Sequence, residues 1–392
     1  MIRRKVSLLL CLMFLFISAT MQLNVKASPG LIMVPGDYKT IQEAIDQASP
    51  GDTVQVSAGT YHETLFINQT LTLVGEDKTN TIIIGSGSGV TVIKAYMTTV
   101  NISGFTIECE GDGITLEKCG GSIVKDNNVS ATNRGIWLYK SDYNMVSDNF
   151  VSGSIWRYGI ILCGHSSNNT IIRNIVKDNV VGLGMTGEDN LICHNNFIDN
   201  QNQTEIVASY PNAWNNTCEG NYWSNYDGTD ADQDGIGDTS YPIDENNTDN
   251  HPLMGMFSQF NITWQEETYT VTTICNCTIK SIDFGTIHEN ATDFNIAGAE
   301  GTTGFCRTAI PNTLLDGNHT ILVDGLSPLM KKELPPSNST HTYLYFTYTL
   351  PTHQAFTIPK IPMGIILALI TIITSLGAIY LGRRAKRKEN QK

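Results

Sequence analysis

Short runs of alternating apolar and polar residues recur along the first half of the chain at a nearly constant interval. They read Leu71-Thr72-Leu73-Val74, Gly113-Ile114-Thr115-Leu116, Gly135-Ile136-Trp137-Leu138, Gly159-Ile160-Ile161-Leu162 and Gly182-Leu183-Gly184-Met185. Alternation with period two is the signature of a strand with one buried face. Between the runs an asparagine returns at Asn127, Asn149, Asn174, Asn196 and Asn221, a beat of about 22–25 residues. A unit this short cannot bury its own apolar face, so each must lie on the next. Asparagine tolerates the left-handed backbone of a tight turn, and in coils stacked about 4.8 Å apart such side chains bond to one another in a ladder. The pattern predicts a right-handed parallel β-helix.

The entry and the second half read differently. Thr40 and Glu43 frame a capping box before the amphipathic stretch Ile41 to Ala48, a helix that covers the open end of the first coil. After Trp223 the composition turns to Asp, Gly and Asn, and from Phe260 the 22-residue beat is lost. Period-two runs such as Thr268 to Ile274 and Thr342 to Tyr348 predict a small antiparallel β-sandwich. The expected organisation is a β-helix over 28–257 and a sandwich over 258–358, in an all-β chain.

The two ends carry targeting signals. Arg3, Arg4 and Lys5 precede an apolar stretch and a small-residue site at Val25-Lys26-Ala27, the form of a signal peptide over 1–27. Residues 361–381 are uncharged and long enough for a C-terminal transmembrane helix, and the basic tail 382–392 would stay in the cytoplasm. This predicts a single-pass cell-membrane protein with its N-terminal part outside, anchored in the lipid bilayer. The chain as a whole carries −13. Without the leader and tail the remainder carries about −22, which argues against nucleic acid or an anionic polysaccharide as a tight partner and favours cations or neutral glycans; the expected partners are glycans or cell-envelope proteins. Asn-x-Ser/Thr sequons such as Asn68 and Asn338 fit an exported glycoprotein.

Candidate chemistry is sparse. Asp230, Asp232, Asp234 and Asp238 alternate around glycines, a spacing of hard oxygen ligands that suits calcium. Tyr241 stands where an EF-hand would place its bidentate glutamate, so this is another kind of loop. Asp126, Asp148 and Arg173 precede ladder asparagines and fall on adjacent coils. Two carboxylates so placed are a candidate catalytic pair for glycoside cleavage, and an ion-paired column reads equally from the same residues. Cys193 and Cys218 each lie three residues before a ladder asparagine, which predicts a disulfide between neighbouring coils. Cys275-x-Cys277 lacks a second pair of metal ligands, and its pairing with Cys306 stays open. His62, His165, His194, Met145 and Met185 are scattered, which argues against copper.

One stretch resembles a known family. Gly220-Asn221-Tyr222-Trp223-Ser224-Asn225-Tyr226-Asp227-Gly228-Thr229-Asp230, continuing to Ile243, resembles the closing signature of NosD-like β-helix proteins of the pectin-lyase-like superfamily with CASH repeats. Tyr38 to Ile45 with Pro50-Gly51-Asp52-Thr53-Val54 and Ala58-Gly59-Thr60-Tyr61 matches the same superfamily's opening. Asn225 and Gln233 depart from the aspartate and glycine expected there. The resemblance implies a β-helix and, by the family name, periplasmic copper processing for a nitrous-oxide reductase; with the anchor and sandwich the layout looks like an archaeal surface protein. The functional expectation is a surface protein that binds glycans or envelope components, with polysaccharide hydrolysis or elimination as the alternative and copper processing as the third.

Overall fold

The computed structural model describes residues 28–208, 210–284, 292–297, 302–314, 319–323, 327–335, 340–349 and 355–359. The signal peptide, the apolar segment 361–381 and the basic tail lie outside the described residues. Among the described residues no helix is long and apolar enough to cross a membrane.

Residues from Leu31 to Trp223 wind as a right-handed parallel β-helix. Each coil adds one strand to each of three parallel sheets, which hold eight, eight and seven strands. A typical coil runs Ile123–Lys125 in the first sheet, Asn128–Ala131 in the second and Arg134–Tyr139 in the third, then re-enters the first at Met145–Ser147. Register is strict: Val124 lies beside Val146, Val129 beside Val151 and Ile136 beside Ile160. These side chains are fully buried and stack into one continuous apolar core. The helix Ile41–Gln47 closes the first coil. Its N-terminal amides are taken up by Thr40, whose hydroxyl accepts from Glu43 N, and by Glu63, whose carboxylate accepts from Ile41 N and Gln42 N at 2.9 and 3.0 Å.

The corners are held by buried amides. Asn127, Asn149, Asn174, Asn195 and Asn221 form one ladder: the Oδ1 of Asn127 accepts from Phe105 N, and from Asn149 onward each Oδ1 accepts the backbone N–H and the Nδ2 of the asparagine one coil earlier. It ends on Asp249, a side chain that only accepts, and the donors there are Asn221 N, Asn221 Nδ2 and Trp223 Nε1. A second ladder of Asn144, Asn169, Asn190 and Asn212 holds the corner between the third and first sheets. Ser154, Asn179 and Asn200 hold the remaining corner. Among the described residues no buried Asn or Gln side chain lacks a hydrogen-bond partner, as a dry interior requires.

Two expectations fail by one residue of phase. Asn195, not Asn196, is the ladder residue; Asn196 instead exchanges two hydrogen bonds of 2.8 Å with Phe257 and ties the last coils to the following domain. The Cys193–Cys218 disulfide goes with it. His194 N donates to Gly220 O, so Cys193 stands beside Glu219 rather than Cys218. Cys218 lies in a bend outside any strand and is exposed, whereas Cys193 ends the strand Leu191–Cys193 and is buried. Cys193 is a free, buried thiol whose pKa burial pushes up to about 11, and Cys218 is free and exposed.

Beyond residue 255 two antiparallel sheets of five and four strands pack face to face. Ile262, Val271, Ile310 and Phe346 of one meet Ile282, Ile296, Ile321 and Val323 of the other. Within this unit Cys275 and Cys277 form a disulfide, and Cys306 is free.

Candidate functional site

The outer face of the third sheet is where chemically distinctive side chains collect. Strands Thr91–Tyr96, Asp112–Glu117, Arg134–Tyr139 and Tyr158–Cys163 turn Ile93, Ile114, Ile136 and Ile160 inward, so the residues of opposite parity face out. Register sets them in columns. Lys94, Thr115, Trp137 and Ile161 share one, and Tyr96, Glu117, Tyr139 and Cys163 the next, while Thr91, Asp112, Arg134 and Tyr158, two residues before the inward isoleucines, pair in a column at the start of these strands. Asp112 is 4 % exposed and takes two bonds of 2.8 Å from the Arg134 guanidinium and one of 2.7 Å from Asn133. The same guanidinium lies 3.5 Å from the Trp137 ring centre, and Trp137 is 5.6 Å from Tyr139. Lys118 and Lys140 lie over Tyr96 and Tyr139, while Lys94 pairs with Glu117 at 2.8 Å. Burial, then the nearby Glu205 carboxylate, raises the pKa of Tyr158. The Thr115 hydroxyl, within this face, is buried and without a hydrogen-bond partner. Ile155 and Trp156, in the loop entering Tyr158–Cys163, are 61 % and 74 % exposed. Rings, cations and carboxylates set in register give a rigid amphipathic platform.

The proposed catalytic residues sit elsewhere. Asp126, Asp148 and Arg173 occupy equivalent positive-φ positions at the corner between the first and second sheets. Arg173 holds Asp148 through two bonds of 2.7 and 2.9 Å, and Lys78 reaches Asp126 at 2.5 Å. Each carboxylate therefore has a cation of its own, and one side of every pair is open to solvent.

Of the acidic-loop residues, Asp230, Asp232 and Asp234 converge, with one carboxylate oxygen of each within 4.8 Å of the others. Among the described residues they are the one group of three His, Cys, Asp or Glu side chains that meet in this way as they stand. Burial raises the pKa of Asp230 and Asp234. Asp238 does a different job, accepting from Ala231 N at 2.6 Å to close the loop. The backbone is clamped from the sandwich, where Arg307 donates to Asp234 O and Lys332 to Asp232 O, both at 2.8 Å. A calcium ion here would relieve the repulsion between the three carboxylates, so millimolar calcium should raise the Tm by a few degrees, about 1 kcal/mol, and Asp232→Asn should abolish the rise. A Tm indifferent to calcium and to a chelator would remove calcium from the account.

A buried cluster at the junction of the two domains was not legible in the sequence. Glu219 accepts from Arg307 at 2.9 Å and lies 2.9 Å from His194 Nε2, and His194 stacks on Phe257 with ring centres 4.1 Å apart. Burial pushes the Glu219 carboxyl up, but the bonds and charges of His194 and Arg307 outweigh it and leave its pKa lowered.

Comparison with known proteins adds the following. Residues 45–228 match the family described as periplasmic copper-binding protein (NosD). Two curated relatives, both described as a probable ABC transporter binding protein NosD, come from Pseudomonas aeruginosa, 33 % identical over 36 % of this chain, and Stutzerimonas stutzeri, 35 % identical over 29 %. The chain spans about a third of their length, 31 % and 29 % respectively. Among solved structures a Geobacillus virus E2 protein overlaps 85 % of this chain and 78 % of its own at 13 % identity and a TM-score of 0.34. A pectin methylesterase overlaps 45 % and 81 % at 11 % identity and a TM-score of 0.31. Overlaps this loose transfer neither a site nor an activity. The β-helix is NosD-like.

Two expectations need correction here. The archaeal-type layout finds no support, since the matched relatives are bacterial proteins described as probable ABC transporter binding proteins; the expected anchor 361–381 lies outside the described residues, among which no helix is long and apolar enough to cross a membrane. The case against copper does not stand either, because the matched family is described as copper-binding. The described residues do not themselves assemble a copper cage on the β-helix. His194 is engaged by Glu219, Met185 is buried beside Asn190, and Met145 lies on the outer wall of the first sheet.

Proposed function

We propose that this chain is a carbohydrate-active β-helix protein, in which the outer face of the third sheet holds a polysaccharide for hydrolysis or elimination. The observation that supports it is the platform of Tyr96, Trp137, Tyr139 and Tyr158, spread over four adjacent coils and interleaved with Asp112, Glu117, Arg134, Lys118 and Lys140. Sugar rings present apolar C–H faces and a rim of hydroxyls; aromatic faces accept the first and fixed charged groups the second. The platform needs no rearrangement to bind, because its side chains are already held by one another. For cleavage, Glu117, ion-paired with Lys94, and Glu205, near Tyr158, are carboxylates on this face, and Asp126 and Asp148 with Arg173 form the alternative site on the corner between the first and second sheets. The fold alone would not support the reading, since β-helices carry many activities.

The test is binding of neutral and uronate-containing polysaccharides, followed by tryptophan fluorescence. Trp137→Ala should weaken binding about tenfold, on the order of 1.4 kcal/mol, with the far-UV spectrum unchanged. Equal affinity in the variant would take the platform out of the reading. A second reading, copper handling beside an ABC transporter, is favoured by the match over 45–228 and its two relatives. It predicts copper retained through dialysis and no effect of Trp137→Ala.

A further inference from the structure

The sandwich gathers three cysteines at one corner. Cys275 ends the strand Glu267–Cys275 of the five-stranded sheet, and Cys277 stands in the turn that carries the chain into Thr278–Phe284 of the other sheet. Cys306 lies directly opposite Cys275 in the antiparallel ladder, so the two side chains share a face with Cβ atoms about 5 Å apart. All three are buried in one cluster with Phe346 and Tyr348. The Tyr348 hydroxyl is 2.7 Å from Cys277 Sγ and 3.4 Å from Cys275 Sγ. Cys275-x-Cys277 has no second half in the sequence around it; strand pairing supplies one in Cys306.

We propose that reduction of the Cys275–Cys277 disulfide opens a three-sulfur site, Cys275, Cys277 and Cys306, for one Cu(I) ion. A dithiol reductant delivers two electrons and two protons, the S–S bond breaks to two thiols, and the reductant closes its own disulfide. Cu(I) then binds as two of the three thiols release their protons to solvent, the third sulfur completing the set. Sulfur ligands select soft ions. Zinc asks for four ligands in structural sites, and this corner gathers three sulfurs. The Tyr348 hydroxyl is placed to donate to the thiolate of Cys277, a charge-assisted bond that offsets the charge buried there. While the disulfide is closed the site is shut, so metal capture depends on redox state. The inference is independent of the glycan platform, and its residues lie outside the stretch that matches NosD.

The test is anaerobic Cu(I) titration of the full-length protein against bicinchoninate, before and after phosphine reduction and desalting. The reduced protein should take up one Cu(I) more per chain than the oxidised protein, with three sulfur neighbours by X-ray absorption. Cys306→Ser should weaken that uptake at least tenfold, and Cys277→Ser should abolish the difference between oxidised and reduced protein, while Cys163→Ser and Cys218→Ser leave it intact. Uptake unaffected by reduction, or full-strength uptake by folded Cys306→Ser, would overturn the proposal. If Cys306→Ser does not fold, a sulfur count of two in the reduced wild type would overturn it instead.

Discussion

Asn174→Ala is expected to lower the free energy of unfolding by about 3–5 kcal/mol. The side chain is fully buried. Its Nδ2 donates to Val146 O at 2.8 Å, Ile172 O at 3.2 Å and Asn195 Oδ1 at 3.0 Å, and its Oδ1 accepts from Asn149 N and Asn149 Nδ2. Alanine leaves donors and acceptors on three coils without partners, at a cost of about 1–3 kcal/mol for each one that water cannot reach. Asn174→Asp should be nearly as damaging, because aspartate cannot donate in the middle of a ladder whose rungs both give and accept. Asn202→Ala, at an exposed position, should stay within about 0.5 kcal/mol of the wild type. Urea denaturation followed by circular dichroism measures all three; a ladder variant as mild as Asn202→Ala would mean that the amides are not what holds the corners.

Arg307→Met should cost about as much, 3–5 kcal/mol on the order expected for breaking a buried ion pair. Arg307 reaches Glu219 across the domain junction at 2.9 Å, with 5 % and 13 % of the two side chains exposed. Methionine fills the space but leaves Glu219 with His194 alone. The double variant Arg307→Met with Glu219→Met should recover most of the loss, since it is the orphaned charge that costs. The pH dependence follows the lowered pKa of Glu219. A carboxyl depressed in the folded state stabilises the protein above its unfolded value, near 4.5, and that contribution disappears as the pH falls through the lower folded value. Wild-type stability should therefore drop below about pH 4 more steeply than that of the double variant. Parallel acid profiles for the two would show that the pair does not bear on stability.

What the sequence carried and what it hid follow from the range of each interaction. The β-helix was legible because its repeat is local: each coil repeats the pattern of the last, and Ile114, Ile136 and Ile160 fall into register by counting. The phase of the ladder was less legible at Asn195-Asn196, where two adjacent asparagines offer equal chemistry and only the backbone pairing of His194 with Gly220 decides. The disulfide between Cys193 and Cys218 failed with it. The ladder of Asn144, Asn169, Asn190 and Asn212 had the same spacing and could have been found by testing every asparagine offset rather than those before apolar pairs. The platform of the third sheet was missed because its members are polar and aromatic residues hidden among the outward positions of ordinary strands. Their proximity appears when the columns are aligned. The Glu219–Arg307 pair joins residues 88 apart in the chain across two architectures, and no local pattern announces it.

We propose that the third-sheet face works on polysaccharide. That activity is tested most directly by incubating the folded protein with a broad panel of neutral and acidic polysaccharides, with and without calcium, and measuring new reducing ends and unsaturated products. Product is expected from at least one polysaccharide, reduced about tenfold or more by Trp137→Ala and by Glu117→Gln. A folded protein that releases no product and shows no binding anywhere in the panel would contradict it.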